Sequence, residues 1–268
     1  MKYSLSLNER TLADITRQLK NFIKGSIRSA KATGAVVALS GGVDSSVVAA
    51  LAHDVVNTKA LILPETGVTS AQDVLDATFI ARAFGLSFTI IKIDDLIDCF
   101  KEAARAILPA RANDRVSIAE VNLKPRIRMT LNYVTSNADL RLVLGTGNKT
   151  EILMGYFTKY GDGGADALPI GGLYKTQVFQ LAKYLEIPER IISKAPSAGL
   201  WLGQTDEAEL GISYDLLDRI LLELIDREKT VEETAKHLDV ELQQVQEISD
   251  QVLRANHKRH APPVPTIT

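Results

Sequence analysis

Ala38-Leu39-Ser40-Gly41-Gly42-Val43-Asp44-Ser45-Ser46 follows a short apolar run that starts at Gly34, and precedes Val47-Val48-Ala49-Ala50-Leu51-Ala52. The order reads as strand, tight loop, helix. Adjacent glycines permit positive φ and let a ligand approach the backbone closely. The hydroxyls of Ser40, Ser45 and Ser46 stand beside free amides at a helix start, where the dipole favours negative charge. A Gly-Gly turn with an Asp-Ser helix cap also has a purely structural use, but the full run reads as a phosphate cradle. The lysine of a Walker A loop is missing, and Asp44 stands inside the cradle instead. A carboxylate beside phosphates requires a cation between them, which points to a magnesium–polyphosphate complex.

Outward from this loop, apolar runs at 35–39, 60–63, 88–93 and 142–144 alternate with helical segments at 45–53, 70–84, 94–107 and 117–137. Strands without polar alternation imply burial on both faces, hence an α/β fold with a doubly wound parallel sheet flanked by helices, Rossmann-like. Ligands of such sheets bind beyond the carboxyl ends of the strands, where strand order reverses. The Ser40 loop and the segment after Leu144 both lie at such ends, so the two are expected to face one crevice. Leu12, Ile15, Leu19, Phe22, Ile23 and Ile27 recur at helical spacing, so an amphipathic first helix is expected over about 9–31. Further helices are expected over 175–185, 214–226, 230–238 and 241–255, before an extended Pro262-Pro263-Val264-Pro265 tail. The whole of 1–268 reads as one domain, with an N-terminal helix within 1–31 and C-terminal helices and tail over 206–268.

Composition narrows the partners. Thirty-one basic residues against 33 acidic ones leave a net charge of −2, which argues against a general attraction to nucleic acid or an anionic membrane. No run approaches the ~20 apolar residues that cross a bilayer. The N-terminus lacks the apolar core of a signal peptide. The single cysteine, Cys99, excludes an internal disulfide and fits a reducing, cytoplasmic setting; it reads as a small apolar helix residue. His53, His237, His257 and His260 lack zinc-site spacing.

Past Leu144 the chain changes character. Gly145-Thr146-Gly147-Asn148-Lys149-Thr150-Glu151 leads into Phe157-Thr158-Lys159-Tyr160-Gly161-Asp162-Gly163-Gly164-Ala165-Asp166, a composition poor for a core and typical of functional loops. On residues alone, Glu151 is either a solvated cap residue or the second carboxylate of a magnesium site opposite Asp44. Lys175 and Arg126 are, out of context, surface residues of helices. The basic run His257-Lys258-Arg259-His260 has a simple use at a helix C-terminus. The loop from Lys194 to Glu207 holds the only tryptophan, Trp201, among turn residues.

Ser-Gly-Gly-X-Asp-Ser resembles the pyrophosphate-releasing loop of the N-type ATP pyrophosphatases, whose fold is adenine nucleotide alpha hydrolase-like. That superfamily includes the NAD, GMP and asparagine synthetases and the tRNA-thiolating enzymes. The two segments quoted above are similar to the signature of the NAD synthetases. So are Asn122-Leu123-Lys124-Pro125-Arg126-Ile127-Arg128-Met129, Lys194-Ala195-Pro196-Ser197-Ala198-Gly199-Leu200 and His257-Lys258-Arg259. The resemblance runs in the same order from about residue 32 to 263 and is nearest to ammonia-dependent members of the archaeal kind, which also carry Gly-Leu-Trp and Gly-Gln-Thr-Asp-Glu.

The resemblance implies a ligase that adenylates the carboxylate of deamido-NAD with ATP, releases pyrophosphate and lets ammonia displace AMP to give NAD. It assigns ATP to Ala38, Leu39, Ser40, Gly41, Gly42, Val43, Asp44, Ser45 and the adjoining Ser46, with Thr146, Lys175 and Ser197. It assigns magnesium to Asp44 and Glu151, and deamido-NAD to Arg126, Lys159, Asp166, His257 and Lys258. Among these, Asp44, Lys175 and Asp166 are the expected catalytic residues. Lys175 would neutralise charge building on phosphate, whereas Asp166 would either hold ammonia and accept a proton or bind the substrate. Val43 stands where many bacterial relatives carry glutamine. The family also implies a homodimer and a Trp201 loop that covers the bound nucleotide, though a packed surface loop is equally compatible with its residues. Only about 31 residues precede the ATP-binding core and Cys99 lies inside it, so free ammonia rather than a built-in amidase is the expected nitrogen source. Two rivals share the loop, a tRNA-thiolating enzyme and a non-catalytic adenine-nucleotide sensor. The first is disfavoured by charge and cysteine count, the second by the joint presence of Glu151, Lys175 and the 159–166 stretch.

Overall fold

A computed structural model of the chain describes residues 4–108 and 114–267. The elements run α1 (Glu9–Ser29), β1 (Gly34–Ala38), α2 (Val43–Ala52), β2 (Thr58–Ile62), α3 (Ala71–Ala83), β3 (Ser87–Ile90), α4 (Asp94–Ala104), α5 (Asp114–Val121), α6 (Leu123–Asp139), β4 (Arg141–Leu144), α7 (Lys149–Met154), α8 (Lys175–Tyr184), α9 (Glu189–Ile192), α10 (Asp206–Leu210), α11 (Tyr214–Leu221), a π-helical turn Leu222–Asp226, α12 (Val231–Leu238), α13 (Leu242–Arg254) and a 3-10 turn Ala255–Lys258.

The four strands pair in parallel in the order β3-β2-β1-β4. The chain therefore builds outward from β1 to β3, then returns to place β4 on the other side of β1. This reversal opens a crevice between the carboxyl ends of β1 and β4. Successive side chains along a strand point to opposite faces, and the core divides accordingly. Ala35, Val37, Ala60, Ile62 and Leu144 pack against α1, α2, α3 and α8. Val36, Leu61, Leu63 and Val143 pack against Ile97 of α4 and Ile127 of α6. A separate apolar cluster, including Leu217, Leu221, Val245 and Val252, holds the C-terminal helices together.

Three expectations are corrected. Strand β3 lies at one sheet edge, and Ser87, Thr89 and Ile90 are exposed, so burial on both faces fails at this strand. An apolar run by itself does not reveal which strand lies outermost. The helix expected over 117–137 is two helices broken at Asn122. Pro125 is the cause: it lacks an N–H for a helical hydrogen bond and its ring excludes a carbonyl four residues back, so it is tolerated only in a first turn. The helix expected over 214–226 continues past Leu221 as the π-helical turn. Asp226, at the end of that turn, accepts from Lys149 Nζ at 2.6 Å and from the Tyr174 hydroxyl at 2.7 Å.

Candidate functional site

The crevice is assembled from two strand-to-helix turns and one helix start. In the first turn Gly41 adopts φ +84°, and Gly42 caps α2. A Cβ at Gly41 would lie 2.3 Å from the carbonyl oxygen of Asp73, so the loop rests directly on the first turn of α3. Ser40 Oγ lies 3.1 Å from Ser45 Oγ, and the Ser45 and Ser46 hydroxyls donate to the Gly42 carbonyl at 3.1 and 2.8 Å. These bonds hold the cradle's shape, with the Ser40 and Gly42 amides donating to the Ser45 and Ser40 hydroxyls.

The second turn ends in a capping box. Asn148 Oδ1 accepts from the Glu151 amide at 3.0 Å, and Glu151 Oε2 accepts from the Asn148 amide at 3.1 Å. Asn148 Nδ2 then donates to Asp44 Oδ1 at 3.1 Å, which ties the two turns together across the crevice. Glu151 thus caps α7 and also faces Lys175 across the crevice. One oxygen caps α7 while the other, Oε1, stands 3.7 Å from Lys175 Nζ.

Lys175 opens α8 and is 2% exposed, so the surface alternative for it is overturned. Its ammonium pairs with Asp44 Oδ2 and lies over the rings of Tyr214 and Phe179. Its amide donates to Thr150 Oγ1, which itself donates to the buried Asp218. Burial alone would depress the Lys175 ammonium, but the charges of Asp44 and Glu151 outweigh it and hold the group above its ordinary range. Glu151 moves the other way: burial, then the charge of Asp44, pushes its carboxyl up to about 8.

Asp44 and Glu151 are hard oxygen donors converging on one buried cation, and that is the electrostatic environment a divalent ion needs. Among the described residues no group of three or more His, Cys, Asp or Glu side chains is placed to hold a metal. A cation here would therefore complete its shell with phosphate oxygens and water, as magnesium does.

Of the residues assigned to the dinucleotide, Arg126, Lys159 and His257 are joined by hydrogen bonds, whereas Asp166 has other partners. Arg126 Nη2 donates to the Lys159 carbonyl at 3.4 Å, and Lys159 Nζ donates to the His257 carbonyl at 2.9 Å. Lys258 Nζ donates to the carbonyls of Gly155 and Phe157, and Arg259 to those of Leu153 and Val252. The basic run therefore does cap helix ends, with Lys258 spent on the close of α7. Asp166 accepts from the Val143 amide at 2.7 Å and from the Tyr133 hydroxyl at 3.0 Å. Burial and that carboxylate push the Tyr133 phenol up to about 12. The glycine-rich stretch is compact, since a Cβ at Gly163 would lie 2.4 Å from the Phe157 ring. Thr146 lies in the turn from β4 into α7, and Ser197 Oγ accepts from the Gly199 amide within the Trp201 loop.

Several residues of the crevice escaped the sequence reading. Asp206 is buried, accepts from the Tyr214 hydroxyl at 2.9 Å and acts electrostatically on both Lys175 and Glu151. Its only signal was its place in Gly-Gln-Thr-Asp-Glu. Lys124 pairs with Glu65 at 2.8 Å and donates to the Leu200 carbonyl at 2.7 Å, so it holds the Trp201 loop down. Trp201 itself is 43% exposed.

Comparison with known proteins places this geometry. Residues 15–262 match the model of the NAD synthase family. An "NH(3)-dependent NAD(+) synthetase" of Archaeoglobus fulgidus is 50% identical over 253 residues, which cover 93% of this chain and 95% of that protein. The NMN synthetase of Francisella tularensis superposes with a TM-score of 0.83 at 34% identity, covering 98% of this chain and 100% of that one. The NH3-dependent NAD synthetase of Campylobacter jejuni superposes at 0.77 with 28% identity, covering 95% and 99% respectively.

Proposed function

The chain belongs to the NAD synthase family, and from that premise we propose that its β1–β4 crevice is the site where ATP activates deamido-NAD for amidation by ammonia. The chain is a ligase of NAD biosynthesis, with ATP as co-substrate. The carboxylate attacks the α-phosphate, pyrophosphate leaves, and ammonia displaces AMP with loss of one proton. One observation supports this reading above the others: Asp44 of the phosphate loop, Glu151 and the buried Lys175 converge at the topological switch point.

In this reading the cradle from Ala38 to Ser46 binds the phosphates through backbone amides and hydroxyls. Lys175 supplies the positive charge that the loop itself lacks. Asp44 and Glu151 would hold magnesium, which would supply Lewis-acid stabilisation of charge on the phosphates. Arg126, Lys159, His257 and Lys258 would bind the dinucleotide, Lys258 with the donor capacity its ammonium keeps beyond the Gly155 and Phe157 carbonyls, and Asp166 is anchored between β4 and Tyr133. The Trp201 loop, held by Lys124, excludes water that would hydrolyse an acyl adenylate. We include a homodimer, for which Phe100, Ile118 and Val134 on α4, α5 and α6 offer exposed apolar surface. No helix of the described residues is long and apolar enough to cross a membrane.

Mixing the protein with ATP, magnesium, ammonium and deamido-NAD is expected to yield NAD, AMP and pyrophosphate in equal amounts. Release of ADP, or ATP binding without turnover, would overturn the reading. The similarity to an NMN synthetase motivates a parallel assay with deamido-NMN. A higher kcat/KM on that mononucleotide would move the substrate while keeping the chemistry.

Magnesium binding should depend on pH in a defined sense. The Glu151 carboxyl, pushed up to about 8, must lose its proton to become a ligand. Affinity is thus expected to rise by about tenfold per pH unit below that value and to level off above it. Calorimetric titration between pH 6 and 9 checks this, and a flat profile would show that Glu151 takes no part.

A further inference from the structure

Lys194 opens the Trp201 loop, 153 positions away from the phosphate loop it touches. Its ammonium donates to the carbonyl oxygen of Gly41 at 3.1 Å. It also donates to Asp73 Oδ1 at 2.7 Å and stands 2.6 Å from Asp76 Oδ2, both carboxylates lying on α3. Asp76 is 1% exposed and also receives Arg190 Nε at 2.8 Å. Burial would raise the Asp76 carboxyl, but Lys194 and Arg190 together hold it below the ordinary range. The ion cluster is therefore neutral as a whole. Lys194 has its charge balanced locally, so it is not a loose cation waiting for phosphate.

The geometry points to Lys194 as the positioning residue of the phosphate loop. In a planar trans peptide the C=O and N–H point in opposite directions. The carbonyl that Lys194 holds belongs to the Gly41–Gly42 peptide. Fixing it on the α3 side turns the Gly42 N–H to the opposite side, where it now meets Ser40 Oγ at 3.2 Å inside the cradle. Gly41, at φ +84° and against the Asp73 backbone, has no side chain to set this peptide's orientation. A glycine pair left alone would sample other orientations of that plane. Lys194 removes this freedom, so an anion-binding amide is aimed before ATP arrives. The same lysine begins the covering loop, whose return is tied back where the Asp206 amide donates to the Pro196 carbonyl at 2.9 Å. Phosphate loop, α3 and cover are joined at one ammonium group.

This inference rests on the phosphate loop binding ATP, as proposed above, but not on the identity of the acceptor. Its test is therefore direct binding without acceptor: titration calorimetry of magnesium–ATP and of AMP into the full chain. Lys194→Met is expected to weaken ATP by about 10- to 100-fold, the range for a lost hydrogen bond from a charged donor. AMP, lacking the β- and γ-phosphates, should change by less than about threefold. Lys194→Arg should recover most of the ATP affinity. With turnover assayed, KM for ATP should rise while KM for deamido-NAD stays level. If Lys194→Met does not fold, Lys194→Gln reads the same contrast between ATP and AMP. Unchanged ATP affinity, equal weakening of AMP, or a collapse of kcat with ATP affinity intact would each overturn the assignment. A wild-type chain that binds ATP yet makes no NAD would sink the proposed function and leave this test standing.

Discussion

Lys175→Met is expected to lower kcat by about 10^3-fold and to cost the apo protein about 3–5 kcal/mol of stability. Methionine keeps the stem that packs on Phe179 and Tyr214, so the change removes charge more than volume. What remains is Asp44 and Glu151 facing each other in a crevice where Lys175 was their shared cation. Breaking a buried pair from one side leaves an uncompensated charge, which is why the stability loss is large. The kinetic loss has a separate origin. A fixed cation in a water-poor site stabilises charge as it develops on phosphate, and it needs no reorganisation to do so. The two effects are separable with magnesium, which should restore the melting temperature of the variant more than it raises that of the wild type, without restoring kcat. Near-normal turnover, together with an unchanged melting temperature, would remove Lys175 from the mechanism.

Glu151→Gln is expected to reduce turnover by about 10^3-fold while leaving the stability within about 1 kcal/mol of wild type. Glutamine is a competent N3 residue of a capping box, so it can still accept from the Asn148 amide as Glu151 does. It cannot supply the negative charge that, in the proposed reading, the deprotonated Glu151 carboxylate gives the metal. Glu151→Ala should lose the same activity and about 1 kcal/mol more, since the cap goes as well. Steady-state rates across a magnesium series, paired with thermal melts, separate the two functions. A glutamine variant that reaches near-normal rates at saturating magnesium would leave the metal to Asp44 alone.

The comparison of Glu151 with Lys175 shows where local sequence stops being informative. A cap at Glu151 is written within four residues, because the capping box is a contact between neighbours, and it was legible as one of two options. That Glu151 also meets the crevice charges depends on its distance from a lysine 24 positions onward and from Asp44, 107 positions earlier. Lys175 read as a surface residue because a lysine at a helix start usually is one; its burial comes from α11 and the two turns that close over it. The break at Asn122 was foreshadowed by Pro125, whereas the edge position of β3 was not encoded in any local pattern.

Sequence alone determined that the chain is an α/β protein with a parallel sheet, that Gly41 and Gly42 form a tight turn between β1 and α2, and that the ordered motifs are those of one family. These properties rest on periodicity, on steric freedom and on short spacings, all carried by consecutive residues. Only the tertiary structure decided which charges meet: Lys175 with Asp44 and Glu151, Lys194 with Gly41, Asp73 and Asp76, and Asp206 with Tyr214. Coulomb and hydrogen-bond energies depend on separation in space and on exclusion of water. Those two quantities come into being only when strand order reverses at β1 and brings distant turns to one crevice.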